Sequence, residues 1–531
     1  RVIELALGDE EGLYTRSFYG YNKFIENRNE VVDRNNNLLA VNLSTASLFA
    51  NPQNMVDVDE AVDKICKILP DLDRKKLNAD LRSDKNFVWV KRDLTPKEQF
   101  RIHNLGIAGF DFKQEQKRVY TYANLTSHIL GFVGRDEKGL SGIESYFDKR
   151  LKNQDLLSDY KSQNAPLVLS VDLRVQNIVH EELENVMETF SAIGGVGIVA
   201  DVDTGEIISM VSKPDYNPHF PGKVSKDKLF NKASLGTYEL GSVFKALTMA
   251  IGFDSNTISL HDLYNISAPI KIAEYRIKDF HRKKGWKTVS EIFMYSSNVG
   301  TVQIALDVGK DKFRQYIKNL GLLDKVDIEL PERSMPMFPR ERAWGDLSTA
   351  TISYGHGMSI SPLHLVQATI PAVNGGMLHP LTLLRQEPGK LDKAPRRVFK
   401  DETSFQLNKL LRLAVAKGTA RRAEVKGYLP GGKTGTANKA VGGKYDKKLR
   451  YSSFIGAFPM TKPKYVIFVM VDEPIGIKST FGFATAGFTA APVAGKIISR
   501  MGTVYGINPI NDADKAVQEI LHIDYTVDES V

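Results

Sequence analysis

The pattern of apolar and polar residues changes about one third of the way along the chain. The first part carries short strand-like runs and charged stretches with helical periodicity. The strand-like runs are residues 29–39 and 45–50, and the helical stretches are residues 59–81 and 93–106. A polar segment, residues 154–164, precedes an apolar run at 165–171 that has the pattern of a buried strand. We therefore predict an extended N-terminal domain over residues 1–164.

The second part opens and closes with strand patterns and is rich in helical patterns between them. Residues 197–203 and 206–212 are apolar, β-branched runs joined by a hairpin signal, Asp203-Thr204-Gly205. Later strand patterns lie at 433–436, 452–458 and 465–472, and a closing helix is predicted at 490–501. Strands from both ends predict an α/β (α+β) domain over residues 165–505, with one antiparallel sheet flanked by helices. Residues 506–531 are polar and are predicted to form a poorly ordered C-terminal tail.

Three short motifs in the second part carry recognisable chemistry. Ser242 and Lys245 form S-x-x-K, Ser296-Ser297-Asn298 forms S-x-N, and Lys433-Thr434-Gly435-Thr436 begins with K-T-G. Each fragment is common by itself. Together and in this order they match the signature of penicillin-interacting serine enzymes.

Ser242 needs a base, because a serine hydroxyl is a weak nucleophile until its proton is removed. The apolar run after Ser242 predicts a buried helix that begins near it, which would place Lys245 on the same face. Burial and a second positive charge, such as Lys433, would lower the pKa of Lys245 and leave a useful fraction as the free amine. The free N–H groups at the helix start would favour negative charge developing at the serine.

Composition narrows the class of protein but not its activity. The 531 residues are 42% hydrophobic and 25% charged, which is typical of a globular chain with two or three domains. The net charge of +8 suits an anionic cell wall or membrane surface, and no nucleic-acid recognition motif accompanies it. No apolar run approaches the roughly 18 residues of a membrane span. Cys66 is the only cysteine, which excludes an internal disulfide, and we predict neither a metal nor a cofactor.

Other sequence patterns suggest different chemistries, but the residues around each of them do not fit the structure that the pattern requires. Residues 427–434 match the phosphate-binding pattern G-x-x-x-x-G-K-[ST], but a charged stretch precedes them and glycines follow them where a strand and a helix are required. His180 begins a zinc pattern, yet Glu184 stands where the second histidine is needed. No G-x-S-x-G elbow exists to partner His356, whose flanking glycines predict a tight backbone passage near the site.

Nearly the whole chain resembles class B penicillin-binding proteins. Residues 28–40 are similar to the family's R-G-x-I-x-D-R-N-G-x-x-L-A segment. Further similar segments are 118–120, 128–132 and 139–144 in the pedestal part, and 172–176 and 353–362 in the transpeptidase part. Residues 296–300, together with Ile277-Lys278-Asp279, are most similar to the septal type, penicillin-binding protein 3.

The resemblance implies a mechanism. Ser242 would attack a donor stem peptide ending in D-Ala-D-Ala, with Lys245 as the base, and an amine of a neighbouring stem peptide would then resolve the acyl-enzyme. The same serine would be acylated by β-lactams. The backbone N–H groups of Ser242 and Thr436 would form the oxyanion hole. The remaining implied site residues are Ser296 and Asn298, which would relay protons and orient the donor, Lys433, and the substrate-binding Thr434, Gly435 and Thr436.

The resemblance also implies a cellular setting, and it leaves alternatives open. It implies a single membrane helix upstream of Arg1, a catalytic domain in the bacterial periplasm, and a membrane glycan polymerase and division proteins as partners. The alternatives are an elongation-specific transpeptidase and a catalytically silent module that senses wall fragments. A β-lactamase is disfavoured because no deacylating glutamate is evident between the second and third motifs, and a bifunctional synthase because residues 1–164 lack a glycosyltransferase signature.

Overall fold

The computed structural model describes residues 28–153, 165–280, 283–442 and 444–524. The chain divides into two compact units. One contains Ala40–Thr121, and the other contains Val32–Leu39, Tyr122–Asp148 and the chain from Val168 onward. The linker predicted at 154–164 lies outside the described residues, so the predicted domain boundary after residue 164 stays a prediction.

The first unit is built on a long antiparallel strand. The elements before residue 122 are β1 (Val31–Val32), β2 (Leu38–Ala50), α1 (Val58–Ile68), α2 (Arg74–Leu81), β3 (Val88–Leu94), α3 (Pro96–His103) and β4 (Phe110–Tyr120). Strand β2 pairs with β4 along Ala40–Ala50 and with β3 near its end. The helices begin at side-chain caps, among them Thr95, which forms a capping box with Glu98. Buried Leu48 and Ile65 belong to one apolar core between strand and helices.

The second unit contains all three motifs. Its helices and those leading into it are α4 (Ser127–Leu130), α5 (Gly142–Tyr146), α6 (Asp148–Leu151), α7 (Leu173–Thr189), α8 (Lys226–Leu229), α9 (Lys245–Asp254), α10 (Val289–Tyr295), α11 (Asn298–Val308), α12 (Lys310–Asn319), α13 (Asp346–Ser353), α14 (Pro362–Val373), α15 (Asp401–Ala416), α16 (Ala490–Val504) and α17 (Lys515–Leu521). The strands are β5 (Leu167–Val168), β6 (Gly194–Asp201), β7 (Ile207–Lys213), β8 (Leu263–Asn265), β9 (Ile270–Ile272), β10 (Tyr275–Ile277), β11 (Trp286–Thr288), β12 (Met377–Leu378), β13 (Arg396–Arg397), β14 (Gly431–Val441), β15 (Lys444–Phe458) and β16 (Tyr465–Asp472). Among the described residues, no helix is both long enough and apolar enough to cross a membrane.

A five-stranded sheet forms the centre of this unit, in the order β14-β15-β16-β6-β7. All neighbouring strands are antiparallel. Every residue of β6, β7 and β16 is buried, because helices cover both faces. Helices α7 and α16 pack on one face with Val469, while α14 contacts β16 and β6, whose alternate side chains point the other way. The predicted fold class and a central antiparallel sheet assembled from distant segments are confirmed, and the further two-stranded sheets β9–β10, β8–β11 and β12–β13 were not predicted.

The prediction of a poorly ordered tail from residue 506 is wrong for residues 506–524. Helix α17 places Val517 and Leu521 in buried positions. Asp512 pairs with Arg412 of α15, and the Ile510 N–H donates to the Gly427 carbonyl. The polar composition of this segment did not predict these contacts. Two apolar side chains on one face of the short helix are enough to pack it against the protein.

Candidate active site

Ser242 is the second residue of a 3-10 turn, Gly241–Phe244, that leads directly into α9. Its side chain is partly exposed, whereas every residue of α9 is buried. In a 3-10 turn residues i and i+3 nearly eclipse, so Lys245 lies on the same face as Ser242. Gly241 has a φ of +63°, which a glycine adopts without strain and which starts the turn. The predicted helix therefore begins with a tighter turn than expected.

The S-x-N motif forms the junction between α10 and α11. Ser296 adopts a left-handed conformation, with a φ of +62°, at the end of α10. Ser297 caps α11 by accepting a hydrogen bond from the Gly300 N–H at 3.0 Å. This abrupt change of direction turns the Ser296 hydroxyl and the Asn298 side chain toward the same neighbour, Lys245.

Lys245 is fully buried and makes three short polar contacts with the motif. Its Nζ lies 2.7 Å from the Ser296 carbonyl oxygen, 3.2 Å from Ser296 Oγ and 2.7 Å from Asn298 Oδ1. Burial and the charge of Lys433 hold the pKa of Lys245 well below its ordinary value, and Asp279 opposes them. The predicted direction of this shift is confirmed.

Lys433 approaches the same hydroxyl from β14. Its Nζ donates to Ser296 Oγ at 2.9 Å and to the Thr434 carbonyl oxygen at 3.0 Å. The side chain is fully buried, and burial lowers its pKa to about 7. Two buried lysines thus contact one serine hydroxyl, an arrangement in which both cannot be charged without a large electrostatic cost.

The other K-T-G residues are fixed by β14 and by the turn that carries Ser242. A Cβ on Gly435 would lie 2.5 Å from the Leu240 carbonyl oxygen, so glycine is what lets the strand approach this turn. Thr434 Oγ1 lies 2.9 Å from Thr419 Oγ1. Thr436 is exposed on the edge strand, and its Oγ1 accepts a hydrogen bond from the Ala486 N–H at 3.2 Å.

Residues 355–360, which we call the strap, form backbone hydrogen bonds to the segment that carries Ser242. Tyr238 and Ile360 exchange backbone hydrogen bonds of 2.9 and 3.1 Å, and the Gly241 N–H donates to the Gly355 carbonyl oxygen. A Cβ on Gly355, whose φ is +82°, would lie 2.1 Å from the Gly241 carbonyl oxygen. The tight passage predicted from the glycines around His356 is confirmed.

The Asp279 side chain holds the S-x-N motif in place through hydrogen bonds. Its carboxylate accepts hydrogen bonds from the backbone N–H groups of Asn298 and Val299, at 2.5 and 3.0 Å, and from the Ser297 hydroxyl at 2.8 Å. A negative charge at the start of α11 also complements the helix dipole. Sequence reasoning noticed Asp279 within a similar tripeptide but gave it no role, since no local pattern joins it to residue 297.

Comparison with known proteins identifies the family to which the chain belongs. A family model described as the penicillin binding protein transpeptidase domain matches residues 195–499, and one described as the penicillin-binding protein dimerisation domain matches residues 26–169. The chain belongs to the penicillin-binding protein transpeptidases.

Similar relatives and solved structures cover most of this penicillin-binding protein. The probable peptidoglycan D,D-transpeptidase FtsI of Caulobacter vibrioides is 36% identical, over 92% of this chain and 83% of the relative. The probable peptidoglycan D,D-transpeptidase PenA of Neisseria gonorrhoeae is 30% identical, over 91% and 85%. A crystal structure of penicillin-binding protein 3 from Mycobacterium tuberculosis with aztreonam has the same fold, with a TM-score of 0.72, 21% identity, and coverage of 91% of this chain and 97% of that one.

These comparisons confirm the predicted class B, septal-type penicillin-binding protein and favour neither the elongation-specific nor the silent-module alternative. The structure also rejects the nucleotide-binding interpretation of residues 427–434, because Lys433 and Thr434 lie within β14 and not at a helix start. His180 pairs with Asp215 at 2.8 Å. Among the residues with described positions, no group of three His, Cys, Asp or Glu side chains is arranged to hold a metal.

Proposed function

We propose that this protein cross-links peptidoglycan as a D,D-transpeptidase through an acyl-enzyme on Ser242. The observation that carries the proposal is the pair of buried lysines, Lys245 and Lys433, on the hydroxyl of Ser296, with Lys245 one turn after the partly exposed Ser242. Such an arrangement keeps one amine available as a base at neutral pH. The substrate class is a donor stem peptide ending in D-Ala-D-Ala, and β-lactams are its mimics.

In the first step Lys245 takes the proton of Ser242 while Ser242 Oγ attacks the donor carbonyl. A neutral amine has two N–H bonds, and the Ser296 carbonyl and Asn298 Oδ1 supply two acceptors at 2.7 Å. Its lone pair is then free to accept a proton. As the bond between the donor carbonyl carbon and the D-Ala nitrogen breaks, the Ser296 hydroxyl gives its proton to the leaving amine and regains one from Lys245, so the proton of Ser242 ends on the released D-Ala.

The donor peptide binds along β14. This strand ends the sheet, so its outer edge can pair with an extended peptide, a recognition mode known as strand addition. Lys433, Thr434 and Thr436 bind the terminal carboxylate of the donor, and Gly435 allows the strand to lie against the Ser242 turn. The Ser242 and Thr436 N–H groups stabilise the oxyanion. A neighbouring stem peptide supplies the amine that resolves the ester.

Covalent capture by a penicillin tests the proposal. Intact-mass and peptide mass spectrometry should find one adduct per chain, on Ser242, and Ser242→Ala should remove it. An adduct on another residue, or labelling of the alanine variant, would refute Ser242 as the nucleophile.

In the cell we assign the protein to septal wall synthesis, anchored in the inner membrane by a helix upstream of Arg1 with its catalytic domain in the periplasm. Similarity to FtsI of Caulobacter vibrioides supports this assignment. We propose that residues 1–164 form a pedestal that docks a membrane glycan polymerase and division proteins. Depletion of the protein should produce filaments that cannot divide; swollen, rounded cells would instead indicate a role in elongation.

A further inference from the structure

A cluster of four side chains beside the Ser242 turn has no part in the acylation chemistry. This Glu239 cluster consists of Glu239, Tyr354, His356 and Tyr445. Glu239 Oε1 accepts the Gly357 N–H at 2.9 Å, and Glu239 Oε2 accepts the Tyr445 hydroxyl at 2.8 Å. The carboxylate is therefore held in one orientation, and it belongs to the segment that leads directly into Gly241 and Ser242.

Three aromatic side chains lie near this carboxylate: Tyr445, which contacts it through its hydroxyl, and Tyr354 and His356, which interact with its charge. The rings of Tyr354 and His356 lie 5.0 Å apart, and those of His356 and Tyr445 lie 6.1 Å apart in an edge arrangement. Tyr445 is 53% exposed, so the cluster opens to solvent. A carboxylate with aromatic rings nearby can bind an ammonium ion through direct charge attraction, and the rings can add cation–π contacts.

The Glu239 carboxylate has hydrogen-bonding capacity for a further donor. Its two oxygens offer about four lone-pair sites, and two are used by Gly357 and Tyr445. Burial lowers the pKa of His356, which favours the uncharged form of the ring beside Glu239. Lys433, whose pKa is about 7, is partly charged at neutral pH, and a negative group nearby would offset its repulsion of an incoming ammonium.

We propose that Glu239, framed by Tyr354, His356 and Tyr445, binds the ammonium group of the acceptor stem peptide. The inference rests on the proposed transpeptidase function and concerns its second half-reaction. The acceptor first releases one proton to solvent, and its nitrogen then forms the new C–N bond as the bond between Ser242 Oγ and the acyl carbon breaks. The second proton passes from the nitrogen to Ser242 Oγ, by way of Lys245, and restores the hydroxyl.

The inference is tested by comparing a charged acceptor with an uncharged one. The full chain is acylated with a thioester analogue of the donor, and mass spectrometry measures how the acyl group divides between water and an added acceptor. The acceptors are D-alanine, whose amine is mostly protonated at neutral pH, and hydroxylamine, which is uncharged there. The ratio of aminolysis to hydrolysis does not depend on how fast the acyl-enzyme forms.

Glu239→Gln keeps an oxygen for the Gly357 N–H but removes the charge. We expect it to lower the D-alanine ratio about tenfold, equivalent to about 1.4 kcal/mol, and to change the hydroxylamine ratio less than about twofold. Tyr445→Phe, at an exposed position, should lower the D-alanine ratio about threefold by releasing the carboxylate. Glu387→Gln removes one charge from an exposed turn and should behave as the unaltered protein.

Equal losses with both acceptors would mean that Glu239 only supports the strap, and unchanged D-alanine ratios would also overturn the inference. Failure of the unaltered protein to form any acyl-enzyme would refute the transpeptidase function itself, a result that is distinct from either of these.

Discussion

The side-chain nitrogens of Lys245 and Lys433 both contact one hydroxyl, that of Ser296, at 3.2 and 2.9 Å. One lysine comes from a helix and the other from an edge strand, and both are fully buried. Burial destabilises the charged form of both lysines, and the charge of Lys433 further destabilises that of Lys245, so the pair favours a free amine near the nucleophile.

Removal of Lys245 should slow acylation. Lys245→Ala eliminates the proposed base, and we expect the second-order rate of penicillin labelling to fall by at least about 10²-fold. Stopped-flow fluorescence with a fluorescent penicillin measures this rate, and near-ultraviolet circular dichroism checks that the variant is folded. A folded variant that labels at nearly the normal rate would assign the base elsewhere.

Lys433 should make folding stability depend on pH. Its pKa is about 7 in the folded protein and near the ordinary 10.5 when unfolded, so between these values the unfolded chain binds more protons and stability rises with pH. We expect the free energy of unfolding, relative to Lys433→Met, to rise by about 2 kcal/mol from pH 7 to pH 9. Urea denaturation at both pH values measures the difference.

The matched control for this prediction is Lys462→Met, at an exposed position. That variant should track the unaltered protein at both pH values. If the free energies of unfolding of Lys433→Met and of the unaltered protein changed equally between the two pH values, Lys433 would have an ordinary pKa in the folded protein.

Asp279 should affect both the rate and its pH dependence. Asp279→Asn loses the acceptor for the Ser297 hydroxyl and the charge that stabilises protonated Lys245. We expect labelling to slow about tenfold and the acid limb of its pH profile to move to lower pH, because the pKa of Lys245 falls. Asp311→Asn, at an exposed position on α12, is the control. A slower rate with an unmoved acid limb would leave Asp279 a purely mechanical support.

Gly355 should tolerate no side chain. In Gly355→Ala the new Cβ meets the Gly241 carbonyl oxygen and the backbone carries a strained φ of +82°. We expect a loss of stability of more than about 1 kcal/mol and slower labelling of Ser242, because the strap must shift away from the turn. Thermal unfolding and labelling rates measure both effects. Gly222→Ala, where a Cβ would meet open space, should change neither.

Local patterns were enough to predict the pieces of the fold and the motif residues. The β6–β7 hairpin, β16 and α16 were predicted close to their observed bounds, because each reflects a short-range hydrophobic period. Strand β2 was underestimated. The run predicted at 29–39 covers β1, a turn and only the first two residues of β2, and the run at 45–50 covers only its end, whereas pairing with β4 carries the strand through exposed residues such as Leu43 and Ser44. Long-range pairing overrides a weak local pattern there.

The sequence by itself determined the identity of the chemical groups: a serine and lysine one turn apart, a second serine with an asparagine, and a lysine-led strand. Those spacings are local, and backbone geometry converts them directly into shared faces. Only the tertiary structure decided that Lys245 and Lys433 meet at Ser296, that Asp279 caps the S-x-N turn, and that Glu239 faces an aromatic cluster. These contacts depend on strand order and on the left-handed turn at Ser296, which arise from packing between segments far apart in the chain and leave no local period to read.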